Sequence, residues 1–312
     1  MTFAEGCKDG PVLIVGSVAY DSVRTPFGEM KEVLGGAASY ASVAASFFAP
    51  VRLVAVVGED FSEEHVMQLA QRNIDLTGLQ RARGKTFRWA GYYEYDLNQA
   101  HTTATELNVF REFRPALPAS YRESPYVFLA NIDPALQLSV LDQVRRPKLV
   151  VCDTMNYWIE SARDKLLEVL ARCDIALMNE AEARELCKEG NLMAAARAVL
   201  NLGPGVVIIK KGEHGAIMRS RDAYFAAPGY PLEEIRDPTG AGDTFAGGLV
   251  GYLARCGDTT EEALRRAIIA GSVMASFTVE DFSLNRLFSL SPEEVAERYN
   301  EIVAMTRFGG FR

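Results

Sequence analysis

A run of small residues, Asp237-Pro238-Thr239-Gly240-Ala241-Gly242-Asp243-Thr244-Phe245-Ala246-Gly247-Gly248, leads straight into a helical pattern over residues 244–254. A Gly-Ala-Gly turn lets backbone approach a ligand closely. Successive N–H groups at the start of a helix form an anion site. Asp243 at that same terminus would repel an anion that only rests there. It suits a base that takes a hydroxyl proton beside a phosphoryl group in flight. The same residues also read as a glycine-rich helix start with Asp243 as N-cap. A second candidate, Asn179-Glu180-Ala181-Glu182, spaces an amide and an acid to share one helix face and equally fits an N-cap with its capping-box acid.

These residues need a scaffold. Val12–Gly16, Val51–Gly58, Tyr126–Ala130, Lys148–Asp153, Ile175–Asn179 and Val206–Lys210 are short, almost wholly apolar runs. They read as buried strands of a parallel sheet covered on both faces. Helical patterns over 37–48, 63–72, 161–171, 180–187 and 192–202 alternate with them, which predicts a doubly wound α/β fold. Residues 85–113 break the alternation with an aromatic, Thr-rich stretch. Together with residues around 17–35 they predict a small antiparallel β appendage placed as a lid. No linker or repeat divides the chain, so residues 1–312 read as one domain.

Composition excludes several function classes. The 312 residues hold 33 Lys+Arg against 41 Asp+Glu, a formal charge of −8, with 48% hydrophobic residues. An acidic balance argues against broad nucleic-acid binding. No apolar run approaches a membrane span, and the first ten residues lack a leader's apolar region. Cys7, Cys152, Cys173, Cys187 and Cys256 are widely spaced and read as reduced thiols of a cytoplasmic protein. The three histidines, His65, His101 and His214, form no metal motif. Gly16-Ser17-Val18-Ala19-Tyr20-Asp21 after the first strand is not the GxGxxG of a dinucleotide enzyme, and no GxxxxGK[ST] occurs.

The segment DPTGAGDTFAGG resembles the C-terminal signature of the ribokinase-like PfkB carbohydrate kinase family. Other landmarks of that family follow in order: Asp21 after the first strand, Gly35-Gly36-Ala37-Ala38-Ser39, Asn179-x-x-Glu182, and Gly212-Glu213-His214-Gly215 after a strand. The resemblance spans about residues 11–305. It implies a ribokinase-like, mostly parallel sheet flanked by helices with a small β-sheet lid, and an ATP-dependent kinase of a sugar or related polyhydroxy compound. By resemblance, Asp243 is the base, and Gly240, Ala241 and Gly242 form the anion hole for the γ-phosphate. Asp21, Gly35, Gly36 and Tyr40 hold the acceptor. Asn179, Lys211, Gly212 and Gly215 hold the nucleotide. Asn179 and Glu182 organise Mg²⁺ through water, and Asp237 and Thr239 help to bind K⁺.

The chain also departs from the family pattern. Tyr40 stands where sugar kinases carry Asn, and Ala19 replaces an Asn of ribokinase-type members, which argues against ribose itself. A nucleoside or inositol kinase of the same family is the alternative, beside a non-catalytic sugar or nucleotide sensor that would have no need of Asp243. The aromatic set Phe87, Trp89, Tyr92, Tyr93 and Tyr95 reads as a packed or dimer-forming sheet face, or as a stack for a base or sugar. A homodimer through the lid is expected.

Overall fold

The computed structural model describes residues 10–308; Cys7 and the N-terminal segment read above for a leader lie outside the described residues. In chain order the strands are β1 (Val12–Val15), β2 (Ala19–Thr25), β3 (Gly28–Gly35), β4 (Val51–Val57), β5 (Ile74–Arg81), β6 (Phe87–Tyr93), β7 (Ala100–Glu106), β8 (Tyr126–Leu129), β9 (Leu149–Cys152), β10 (Ile175–Asn179), β11 (Val206–Lys210), β12 (Ala216–Ser220) and β13 (Tyr224–Ala227). The main sheet runs β13-β12-β11-β10-β9-β8-β1-β4-β5. From β11 to β5 all neighbours are parallel, and β12 and β13 add an antiparallel edge.

Every residue of β1, β8 and β9 is buried because both faces of the sheet are covered. Val12 and Ile14 join one hydrophobic core with residues of the helices Ala37–Ser46, Ala241–Cys256 and Glu261–Thr278. Leu13 and Val15 point the other way, into a second core with the helices Pro134–Leu141, Arg163–Leu170, Glu180–Cys187 and Leu192–Leu200. This is the expected doubly wound arrangement. No helix among the described residues is long and apolar enough to cross a membrane.

A seam of small residues fixes the geometry of the site. Gly247 lies against Ala41, and Gly251 lies so close to Ala45 that a Cβ there would fall 2.8 Å from its Cα. The helices Ala37–Ser46 and Ala241–Cys256 therefore pack almost backbone to backbone, with their N-terminal ends side by side.

The second sheet runs β3-β2-β6-β7. Both hairpins, β2–β3 and β6–β7, are antiparallel. A parallel pairing of β2 with β6, which the sequence reading did not include, joins them. Residues Asn108–Glu112 leave the sheet as a 3₁₀ turn. The helix expected over 161–171 is Arg163–Leu170; a further short helix, Asn156–Ser161, precedes it and ends where Ala162 turns to φ −138° and ψ 33°.

Candidate active site

The site lies at the C-terminal ends of the parallel strands, where open α/β sheets place their ligands. The helix Ala241–Cys256 begins at Gly240, whose φ of 75° is left-handed and open to glycine at little cost. A Cβ at Gly240 would also run into the ring of Tyr40, 2.5 Å from its Cδ atoms. Tyr40 is 2% exposed. Its ring supports the turn from below, so it is a wall of the site, and its hydroxyl sits in the field of Asp21 and Asp237.

Asp243 stands in the first turn of this helix and keeps a partly exposed surface. Burial, and then the nearby Asp153, push its carboxyl up to about 7, against the pull of Lys210. A group poised there matches a general base working near neutral pH. Of the three N–H groups expected in the anion hole, that of Ala241 already donates to Pro238 O at 3.2 Å. The anion-hole reading therefore rests on Gly240 and Gly242.

Asp21 is 5% exposed in β2. Burial pushes its carboxyl up to about 7, the Gly36 N–H opposes this, and Asp237 and Asp243 add to it. Gly35, at the end of β3, lies directly under that carboxylate. Gly36 caps the helix Ala37–Ser46, and Ser17 Oγ accepts from Ala37 N–H. Asp21, Gly35, Gly36, Tyr40 and Asp243 thus converge on one place.

Asp237 is 1% exposed. It accepts from the N–H groups of Thr239 (2.9 Å) and Ser283 (3.4 Å). Its burial raises the carboxyl against these donors. Thr239 Oγ1 donates to the Tyr93 hydroxyl at 3.4 Å, which ties the second sheet to the signature loop.

Asn179 and Glu182 form a complete capping box. Glu182 N–H donates to Asn179 Oδ1 at 2.8 Å, while Asn179 N–H and Nδ2 donate to the two Glu182 oxygens at 2.7 Å each. Burial pushes Glu182 up to about 8, with Lys210 opposing and Asp153 adding. Asp153, Glu182 and Asp243 crowd their charge around one lysine, and relief of that crowding by a divalent cation fits the donor set. Among the described residues no three acids, histidines or cysteines are grouped to hold a metal directly, so the fit is to Mg²⁺ held through its own waters.

In the segment after β11, Lys211 N–H donates to Gly215 O and Gly215 N–H to Gly212 O. Lys211 is only half buried. The lysine that enters the site is Lys210, whose Nζ lies 2.6 Å from Asp153 Oδ2. The sequence does not single out Lys210, and it marks Asp153 only through Asp153-Thr154-Met155-Asn156, which loosely resembles the family's DxN stretch. The available signal was a charged residue ending each of two apolar runs, Val-Val-Ile-Ile-Lys and Leu-Val-Val-Cys-Asp. In a covered parallel sheet, such residues can be placed only at the strand ends.

A helix N-terminus with a carboxyl raised to about 7, at the edge of a doubly wound sheet with a second small sheet beside it, is compatible with a phosphotransferase that uses an alcohol acceptor. The chain belongs to the pfkB family of carbohydrate kinases, whose family model matches residues 12–286. It is an ATP-dependent kinase of a sugar or nucleoside, and the family implies Mg²⁺ as the companion of ATP. It is similar to a cytidine kinase of Thermococcus kodakarensis, 31% identical over 260 residues covering 81% of this chain and 92% of the relative. It is also similar to an inositol 3-kinase of Arabidopsis thaliana, 25% identical over 86% of this chain and 74% of the relative. Among solved structures, the Burkholderia thailandensis nucleoside kinase in complex with inosine superposes with a TM-score of 0.78 at 17% identity, covering 94% of this chain and 98% of that one; this likeness speaks for the fold.

Proposed function

We propose that this kinase phosphorylates a nucleoside, with a pyrimidine nucleoside favoured. The observation that carries the reading is the pairing of Asp21 with Trp89. They face each other in register on the parallel strands β2 and β6 and so share one face of the small sheet. A carboxylate that accepts from two hydroxyls beside a half-buried indole suits a ribose joined to a flat base. The likeness to a cytidine kinase supports the same acceptor.

In this reading Asp243 takes the proton of the acceptor hydroxyl. The hydroxyl oxygen forms a bond to the γ-phosphorus, the bond from that phosphorus to the bridging oxygen breaks, and its electron pair leaves on ADP. The N–H groups of Gly240 and Gly242 and the helix dipole receive the growing phosphoryl charge. Asn179 and Glu182 would hold Mg²⁺ through water, and the ion would supply charge neutralisation. Gly212 and Gly215 line the nucleotide, while Asp237 and Thr239 would help to hold a K⁺ ion. The small sheet acts as the lid, and two copies of the chain pair through it. ADP release measured across cytidine, uridine, adenosine, ribose and myo-inositol tests the assignment. Preference for myo-inositol or a free sugar by tenfold or more in kcat/KM would reassign the acceptor.

A further inference from the structure

Lys210 is a buried cation that the proposed mechanism leaves without a task. It ends β11, and Asp153 follows the end of β9. Between these two strands lies β10, which ends at Asn179. The pair therefore bridges the end of β10, with side chains 16% and 2% exposed. Asp153 is firmly held: its Oδ1 accepts from Thr154 N–H at 3.0 Å, and its carbonyl accepts from Gln137 Nε2 at 3.0 Å. The flexible member is the lysine, on its four-carbon stem.

The other side of the ammonium faces the signature turn. A Cβ at Gly242 would lie 3.2 Å from Nζ, 3.7 Å from Cε and 3.8 Å from Cδ, so the stem runs across Gly242 and ends beside it. An ammonium has three N–H donors and Asp153 takes one. Burial alone would lower the Lys210 pKa, but Asp153, Glu182 and Asp243 outweigh it and keep the ammonium charged. A structural ion pair would need only Asp153. It would not need to lie against the glycine whose N–H opens the anion hole.

We propose that Lys210 is a catalytic cation of phosphoryl transfer, contacting the oxygens of the phosphoryl group as it passes over Gly242, with Asp153 as the positioning residue that aims it. This rests on the phosphoryl group passing over Gly240–Asp243 and is independent of which acceptor is used. A positive charge fixed where negative charge develops stabilises the transition state more than the ground state.

The test compares Lys210→Met, which keeps the length of the stem without its charge, with Lys210→Arg and wild type. Three readouts are used: steady-state kinetics, calorimetric ADP affinity, and affinity for ADP with aluminium fluoride in the presence of acceptor, a mimic of the transferring phosphoryl. For Lys210→Met, kcat is expected to fall by about 10²–10³. The acceptor KM and ADP affinity should stay within about threefold, and affinity for the aluminium fluoride complex should fall by at least tenfold. Lys210→Arg should recover part of kcat. A Lys210→Met enzyme within threefold of wild type in kcat overturns the proposal, as does equal loss of ADP and aluminium fluoride affinity. Should Lys210→Met not fold, Asp153→Asn decides: a tenfold or larger fall in kcat at unchanged ADP affinity supports the proposal, and wild-type kcat overturns it. If wild type itself turns over no acceptor in the panel, the acceptor reading fails separately, because the aluminium fluoride comparison repeated without acceptor, with water in its place, still reports on Lys210.

Discussion

Gly35 lies beneath the carboxylate of Asp21, so that a Cβ on it would strike the nearer oxygen and stand 2.7 Å from the farther one. The antiparallel pairing of β2 and β3 sets this contact, with Ala19 opposite Gly35 and Asp21 opposite Val33. Gly35→Ala should displace the carboxylate while leaving the fold intact. The acceptor KM should rise at least tenfold, and ATP affinity should not move. An acceptor KM within twofold of wild type would contradict the role of Asp21 as a hydroxyl clamp.

Asp21 also links stability to pH. Its folded-state pKa of about 7 lies above the unfolded value near 4. The folded state therefore binds the proton more tightly. Stability from this group is greatest below the unfolded pKa and is lost as pH rises through about 7. Asp21→Asn removes that loss. Its melting temperature should exceed that of wild type by several degrees at pH 8.5, and the gain should shrink towards zero at pH 4.5. A gain independent of pH would show that the carboxyl is not strained by burial.

The outer ring of Trp89 lies beside Gly91, where a Cβ would come 2.5 Å from it, and its Nε1 donates to Thr102 Oγ1 at 3.1 Å. Base stacking on an aromatic side chain is worth about 1–3 kcal/mol. Trp89→Ala should raise the nucleoside KM by about 5- to 160-fold and leave any kcat/KM for ribose unchanged. Equal effects on both acceptors would assign Trp89 to sheet packing.

Glu182 serves its capping box whether or not a metal is present. Glu182→Gln keeps an oxygen for Asn179 and removes the charge. It should lower the melting temperature by a few degrees, because the amide nitrogen cannot accept the second Asn179 bond, and shift the Mg²⁺ dependence of activity to at least threefold higher concentration. An unchanged Mg²⁺ titration would restrict Glu182 to helix capping.

The parallel core was legible because Val12–Val15, Tyr126–Leu129 and Ile175–Met178 are buried on both faces and carry no polar residue. β5 escaped because Ile74-Asp75-Leu76-Thr77-Gly78-Leu79-Gln80-Arg81 lies at the sheet edge, with one side half open to water. The signature turn declared itself through glycines whose backbone needs no side chain. Lys210 did not, because an adjacent Lys211 offers the same chemistry in sequence and only the strand register decides which one turns inward. The pairing of Asp153 with Lys210 became visible only once β9 and β11 were placed two strands apart. The sequence shows Tyr40 only as a departure at an acceptor-binding position where sugar kinases carry Asn; the small-residue seam between its helix and Ala241–Cys256 is what places its ring under Gly240.

The most direct measurement is phosphate transfer from ATP to cytidine by wild type and by Asp243→Asn, followed by ³¹P NMR of the product. The substitution is nearly isosteric and removes the group that takes the proton, which typically costs about 10²–10⁴ in rate. Wild type should form a nucleoside monophosphate with an acid limb near pH 7 in kcat/KM, set by the Asp243 carboxyl. Asp243→Asn should bind ATP with unchanged affinity and lose at least 99% of kcat. Retention of more than a tenth of wild-type kcat by Asp243→Asn, or no phosphorylation of any nucleoside by wild type, would contradict the account.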